Sequence, residues 1–342
     1  MMTYSQATAL LEARKAAGMQ MGLERMTAAM ELLGRPQERL RVVHIAGTNG
    51  KGSTGAMIRS ILTSAGYRVG GYESPAVTGL RDIITIGGEG IREERFAALT
   101  QRLLALEPRF EELGRLTEFE FTTALAYLYF AEEKTDLCVV ECGLGGRDDA
   151  TNVIGPPLAA VLTPVALDHT ALLGDTIQEI TTVKCGICKP PCTVISSPGQ
   201  TAEALGVIME TAAARGLTVR IPNAAAAPIT EEEPGRLAFV YGGRRYILRL
   251  TGSFQRDNAL TALEVASCLE EKGFSIPDEA KEAGLAGVVM PCRQEILRRT
   301  PLLMLDGAHN PHGLAALAET LRRMPEAGSL TLLVGMLRDK NT

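Results

Sequence analysis

Residues 41–66 restrict the possible folds more than any other stretch. Arg41-Val42-Val43-His44-Ile45-Ala46 is a short β-rich run, and Gly47-Thr48-Asn49-Gly50-Lys51-Gly52-Ser53 follows it directly. Beyond the glycines, Ala56, Met57, Ile58, Ile61, Leu62 and Ala65 fall at helical period, and the pattern stops at Gly66. Strand, glycine loop and helix in that order make a cradle for anions. The glycines let backbone N–H groups turn toward one point, and the helix N-terminus adds partial positive charge there. Lys51 is placed to reach outer phosphates, and Ser53 to ligate Mg²⁺. The loop is shorter than the usual G-x-x-x-x-G-K-S/T, and Gly52 separates lysine from hydroxyl. A glycine turn that binds nothing is the bland alternative; the flanking strand and helix argue against it.

The alternation recurs. Leu137–Val140, Leu158–Leu162 and Thr193–Ile195 are apolar runs of strand length with helical segments between them. This predicts an α/β fold, a mostly parallel sheet with helices on both faces. Before it, Tyr4, Ala7, Leu10, Leu11 and Ala17 share a helical face that Arg14 interrupts, and a second helical stretch runs through Leu33. From about Leu217 the texture changes. Arg236–Val240 and Arg245–Leu250 flank Tyr241-Gly242-Gly243-Arg244 as an antiparallel hairpin, followed by a helix from Asn258 to Lys272. A connecting stretch between Pro277 and Pro291 leads to a strand Leu302–Leu305, a helix from Pro311 to Arg323 and a strand Leu330–Val334, read as a second βαβ unit. A chain of 342 residues exceeds what one core usually organises. The expected division is a phosphate-binding domain over 1–290 and the start of a smaller C-terminal α/β domain over 291–342, expected to be incomplete.

Net charge is −5 and the charges are interspersed, as in Arg92-Glu93-Glu94-Arg95, so no basic stripe offers a surface to nucleic acid. No run approaches the roughly 18 apolar residues of a spanning helix. Met1 to Gln6 lacks a basic region followed by an apolar core, so no signal peptide is expected and a cytoplasmic location is. The seven cysteines sit mostly in apolar runs, such as Cys138 and Cys268, and read as reduced thiols. Cys185, Cys188 and Cys192 lack a suitably spaced fourth ligand for zinc and read as small buried residues.

Further candidates stand where open sheets collect ligands. Glu141 ends a buried strand and precedes Gly143-Leu144-Gly145-Gly146; a hard cation there would bridge carboxylate and phosphate oxygens. Taken alone, Glu141 reads equally well as a cap or a salt-bridge partner. Leu167-Asp168-His169 and Lys184 say little singly, and Lys184 by itself reads as a solvated surface lysine. Gln255 and Asn258 stand at the hairpin-to-helix junction, Arg293 follows, and Asp306 ends an apolar strand before a glycine turn. His309 reads equally as a general acid or base and as a residue that orders its loop.

In order, these motifs resemble the folylpolyglutamate synthase/dihydrofolate synthase family, relatives of the Mur peptide ligases. The resemblance runs from about Tyr4 to Lys340. It rests on His-Ile-Ala-Gly-Thr-Asn-Gly-Lys-Gly-Ser (44–53), Glu-Cys-Gly-Leu-Gly-Gly-Arg (141–147), Asp-Ala-Thr-Asn (149–152), Leu-Asp-His (167–169) and Leu-Asp-Gly-Ala-His-Asn-Pro-His-Gly (305–313). The resemblance implies an ATP-binding, Mur-ligase-like central domain over 1–290 and a C-terminal ligase domain begun at 291. It implies an ATP-dependent, amide-forming ligase that adds L-glutamate to a folate or dihydropteroate carboxylate through an acyl phosphate. By position, Gly50, Lys51, Gly52 and Ser53 match the phosphate loop, and Asn258, Arg293 and Asp306 match nucleotide contacts. Ser53, Ser74, Glu141, His169 and Lys184 match the ligands of two Mg²⁺ ions, Lys184 as an N6-carboxylated lysine. That overturns its reading as a surface residue. Gly22, Leu23, Glu24 and Arg25, with Thr117, Glu118, Phe119 and Glu120, resemble the segments that hold the pterin. Lys51, Lys184 and His309 are the catalytic candidates, His309 in ordering the cleft, and the protein is expected to act as a monomer.

Departures from the pattern are few. Ala76-Val77 stand where the family continues His-Leu after Ser74-Pro75, Asp148 replaces an apolar residue, and Cys142 and Cys185 replace the usual Val and Ala. Family members also continue past Asp339-Lys340. The competing functions are another Mur-type ligase, a P-loop kinase or ATPase, and a truncated nucleotide-binding protein without ligase activity.

Overall fold

Every residue of Val42–Ala46 and of Leu137–Glu141 is buried, as strands covered on both faces require. In the computed structural model, which describes residues 2–18, 20–75, 79–324 and 329–335, both lie at the centre of one eight-stranded sheet. Its strands are β1 (Val42–Ala46), β2 (Val69–Tyr72), β3 (Ile84–Ile86), β4 (Glu89–Gly90), β5 (Leu137–Glu141), β6 (Ala159–Leu162), β7 (Thr193–Ser196) and β8 (Val219–Arg220), in the order β4-β3-β2-β5-β1-β6-β7-β8. Pairing from β2 through β8 is parallel, and β3 and β4 add an antiparallel edge. The substituted Ala76-Val77 and the Asp339-Lys340 end of the resemblance lie outside the described residues.

The helices are α1 (Tyr4–Arg14), α2 (Glu24–Leu32), α3 (Lys51–Ser64), α4 (Glu93–Leu104), α5 (Glu118–Glu132), α6 (Thr170–Leu173), α7 (Ile177–Lys184), α8 (Ala202–Ala214), α9 (Phe254–Glu271), α10 (Asp278–Gly287) and α11 (Pro311–Arg323). Alternate residues of the central strands feed two cores. Val43, Ile45 and Val139 pack with α3, α9 and α10, whereas Val42, Cys138 and Val140 pack with α1, α2, α4 and α5. Arg14, which broke the apolar face of α1, donates twice to Glu107 at 2.7 Å and lies 4.6 Å from the Phe121 ring centroid. A paired, half-buried guanidinium thus occupies a position that the pattern had reserved for a hydrophobe.

The expected hairpin forms as β10 (Arg236–Tyr241) against β11 (Arg244–Leu248), with β9 (Ile229–Glu233) on its other side. Leu237, Phe239 and Leu248 join the core on the α3 face. The following helix, α9, starts at Phe254 rather than Asn258. Gln255 and Asn258 are buried polar side chains, and they hide the apolar stripe of its first turn. The stretch between Pro277 and Pro291, expected as a connection, holds α10. Its signals were Pro277 followed by two first-turn acids, Asp278 and Glu279. Gly284 lets α10 lie against α3 at backbone contact; a Cβ there would stand 2.5 Å from Ile61 Cα.

The C-terminal segment departs most from expectation. β13 (Leu302–Leu305) pairs antiparallel with β12 (Glu295–Arg299), a charged and mostly exposed strand that the sequence concealed, so a hairpin replaces the expected βαβ unit. Leu330–Val334 forms no strand. Leu330, Leu332, Leu333 and Val334 are all exposed, and an apolar run without a neighbouring strand has nothing to pair with. Helix α11 spans the residues expected of it.

Candidate active site

The C-terminal ends of β5, β1 and β6 lie side by side, with Ile45 opposite Glu141 and Ala46 opposite Leu162. The chain leaves β1 for β2 on one side and returns through β5 to β6 on the other, the crossover arrangement at which open sheets form a ligand crevice. A cavity of about 800 Å³ opens there, and its lining includes Gly47 to Ser53, Glu141 and Lys184. The first N–H groups of α3 have no intrahelical acceptor, so the loop at its N-terminus presents donors and partial positive charge. Gly50, at φ 84°, is the N-cap, and a Cβ there would stand 2.7 Å from Asn258 Oδ1 on α9. Helix α9 thus reaches the phosphate loop from outside the strand-loop-helix unit.

Burial shapes the electrostatics. Lys51 donates from Nζ to Thr48 O at 3.3 Å and stands 3.7 Å from Glu141 Oε1. Glu141 is 7% exposed; desolvation pushes its carboxyl up to about 7, and Lys51 opposes that rise. Lys184, 4% exposed at the end of α7, donates to Gly47 O at 2.9 Å. Its burial, and secondarily the charge on Lys51, push its amine down to about 7. A buried lysine bonded to the phosphate loop is far from the solvated surface lysine that its isolated sequence context described.

Helix α7 reaches this place through a close approach. A Cβ on Gly186 would stand 2.3 Å from Arg147 Cα, and one on Gly146 2.7 Å from Lys184 O. Nothing in such a contact can yield except backbone. Gly186→Ala is therefore expected to destabilise the protein by about 3 kcal/mol, read as a lower urea midpoint with an unchanged slope. An unchanged midpoint would show that the two segments are not in contact. Cys185, Cys188 and Cys192 pack nearby with Ala160, Leu162 and Val194.

The remaining candidates divide. Ser74, His169, Asn258, Arg293, Asp306 and His309 line the same cavity, as do Gly22 and Thr117 to Glu120. Leu23, Glu24 and Arg25 do not appear in its described lining. Arg25 instead pairs with Glu120 at 2.9 Å and donates to Gln20 O. Glu120 also closes a capping box with Thr117 at the start of α5, so both residues brace the cavity wall. Asp306 accepts from Gln294 N at 3.0 Å and Ala308 N at 2.8 Å, which fixes its turn. His309 bonds Gly307 O through Nδ1 at 2.9 Å, the loop-ordering arrangement. Sequence reasoning passed over Asn49, Asp168 and Asn310 as contacts. Only Asn310-Pro311, a helix-start signal, pointed to one of them.

A model of the Mur ligase middle domain matches residues 45–266, and one of the Mur ligase glutamate ligase domain matches residues 292–342. The dihydrofolate synthase/folylpolyglutamate synthase of Bacillus subtilis (strain 168) is 37% identical over 350 residues, a match that covers 98% of this chain and 80% of that protein. The chain belongs to the folylpolyglutamate synthase/dihydrofolate synthase family. A second member of that family, the folylpolyglutamate synthase of Lacticaseibacillus casei, is 34% identical over 93% of this chain and 76% of its own length. Among solved folylpolyglutamate synthases, an FPGS-AMPPCP-folate complex superposes with a TM-score of 0.86 at 31% identity, covering 94% of this chain and 80% of the other. The Mycobacterium tuberculosis enzyme complexed with ADP gives 0.82 at 33% identity, covering 94% and 73%.

The donors in this folylpolyglutamate synthase-type cavity fit Mg²⁺. Glu141 is a desolvated carboxylate whose nearest cation lies beyond hydrogen-bonding distance, an arrangement that a divalent ion would complete. Among the described residues, no three His, Cys, Asp or Glu side chains form a metal cage. Mg²⁺ needs none, since it takes one or two carboxylates and fills its other positions from phosphates and water.

Proposed function

We propose that this chain catalyses ATP-dependent addition of L-glutamate to the carboxylate of a folate or dihydropteroate. One observation carries the reading: the phosphate loop, Glu141, Lys184 and the Thr117–Glu120 wall all face a single cavity. A phosphate donor and an organic acid can therefore meet without crossing solvent. A carboxylate resists amine attack because its charge is delocalised and its oxygen leaves poorly. Here a carboxylate oxygen attacks the γ-phosphorus, the bond to ADP breaks, and an acyl phosphate forms. The uncharged amine of glutamate then adds to the carbonyl carbon, its proton is lost to solvent, and inorganic phosphate departs.

Lys51 and the N–H groups opening α3 draw off charge that builds on the transferring phosphoryl group. Asn258, Arg293 and Asp306 orient the nucleotide. Gly22 and Thr117 to Glu120 form the pterin end, with Arg25 acting through Glu120 and the rest of the 22–25 segment behind the wall. Ser53, Ser74, Glu141, His169 and an N6-carboxylated Lys184 would hold two Mg²⁺ ions, which supply charge neutralisation between the anionic attacker and the triphosphate. Lys184 suits that modification because CO₂ adds only to an uncharged amine, and burial makes that form available. His309 orders the C-terminal side of the cleft. The reading divides the chain at residues 290 and 291 and has it act as a cytoplasmic monomer. Among the described residues no helix is long and apolar enough to cross a membrane.

An ADP-release assay tests the function, with dihydropteroate and tetrahydrofolate offered separately, each with glutamate. ADP is expected in step with a new amide and only when acid and amino acid are both present. Equal ATP turnover without glutamate would leave a plain ATPase. Amide formation on a cell-wall peptide precursor but on neither pterin would assign the chain to another Mur-type activity.

A further inference from the structure

Three segments distant in sequence meet beside the phosphate loop, and one side chain joins them. Asn310, only 3% exposed, is the N-cap of α11, and its Oδ1 accepts from Gly313 N at 2.8 Å. The same oxygen accepts from Asn49 Nδ2 at 3.3 Å, while Asn310 Nδ2 donates to Asn49 Oδ1 at 3.1 Å and to Asp168 Oδ2 at 3.2 Å. A side-chain amide has two N–H donors and two oxygen lone pairs, so Asn310 uses its full capacity. Asn49 also commits both of its donors on this side, since its Nδ2 donates to His312 Nδ1 at 3.0 Å as well. Behind it, the loop is tied to the segment after β6: Thr48 N and Asn49 N donate to Pro164 O, and Thr48 Oγ1 exchanges hydrogen bonds with Ala166.

We infer that Asn310 is a positioning residue whose amide locks the phosphate loop, through Asn49, to the turn that carries Asp306 and His309. The inference rests on the reading of this cavity as a nucleotide site. A hydrophobic contact would tolerate sliding between these segments. A reciprocal amide pair fixes both distance and orientation, because moving either partner breaks two bonds together. The groups that meet the phosphates and those proposed to meet the rest of the nucleotide are thus held in register before nucleotide arrives, and binding need not spend free energy on ordering them.

The test uses Asn49→Ala, Asn310→Asp and the double variant. Asn310→Asp keeps the oxygen that caps α11 but loses both donations and sets a carboxylate against Asp168, so the helix start survives while the lock does not. Amide hydrogen exchange of the unliganded full chain gives the first readout. Asn49→Ala is expected to speed exchange in residues 305–314 by about tenfold, and Asn310→Asp to do the same in residues 47–53. Turnover gives the second. KM for ATP rises by about tenfold in each single variant, more than kcat falls, and the double variant is no worse than either single. Exchange changes confined to the substituted segment would overturn the inference, as would an effect of about a hundredfold in the double variant, the result for independent sites. Because exchange is read without substrate, a wild-type chain that makes no amide would refute the ligase reading while leaving the lock standing or falling on its own data.

Discussion

Lys51→Ala is expected to lower ADP formation at saturating folate, glutamate and ATP by about 10²–10³-fold. In the transition state, charge moves onto the oxygens of the transferring phosphoryl group, and the cavity offers it few cations. Lys51 is 17% exposed, heads α3 and already leans toward Glu141 at 3.7 Å. Its field also opposes the desolvation that drives the Glu141 carboxyl upward, so its removal leaves that carboxyl more readily protonated and a poorer metal ligand. The two losses compound. Lys51→Arg should recover only a fraction, since a planar guanidinium cannot take the place of a compact ammonium at the helix start. Unfolding midpoints should stay close to wild type, because the side chain contributes no core packing. Retention of more than about a tenth of the wild-type rate would remove the loop from the mechanism.

Lys184→Ala should cost about 10²-fold or more in the same assay, and its diagnostic is a dependence on CO₂. Addition of CO₂ to the Lys184 nitrogen would form a carbamate and release a proton, turning a buried cation-former into an anion beside Gly47 and within the field of Lys51. Wild-type enzyme depleted of CO₂ should lose rate and regain it with bicarbonate. Lys184→Ala should not respond to bicarbonate, though a small added carboxylate should restore part of its rate by filling the vacated space. Native mass spectrometry should show one CO₂ on active wild-type protein and none on the variant. Full activity with a bare amine would end the assignment.

Most of the cavity lining was legible because its signals are local. A glycine loop between strand and helix, a carboxylate closing a buried strand and an Asn-Pro helix start each occupy a few consecutive residues. Lys184 was illegible from its own surroundings; its burial goes with two close approaches across the fold, Gly146 against the Lys184 backbone and Gly186 against Arg147. The Asn49–Asn310 pair joins positions 261 residues apart, and no periodicity marks it. Helix α10 was missed because its buried face holds Ala280, Lys281 and Gly284 beside Leu285, which gave little hydrophobic contrast. β12 escaped for the opposite reason, since its exposed Arg298 and Arg299 read as solvated surface. Leu330–Val334 follows a strand and a helix as the third element of a βαβ unit would, but the pattern supplies no partner strand for it.

The contact at Gly284 has a mechanical consequence. Helix α3 emerges from the loop proposed to hold the triphosphate, and α10, lying backbone against backbone on it, leads within a few residues to Cys292 and Arg293. The arm that carries α11 is therefore mounted on the same rod that would bear the phosphates. A methyl group at position 284 would lift the mount from its seat, stretch the Ser60 Oγ to Gly284 O hydrogen bond that joins the two helices, and misalign the arm.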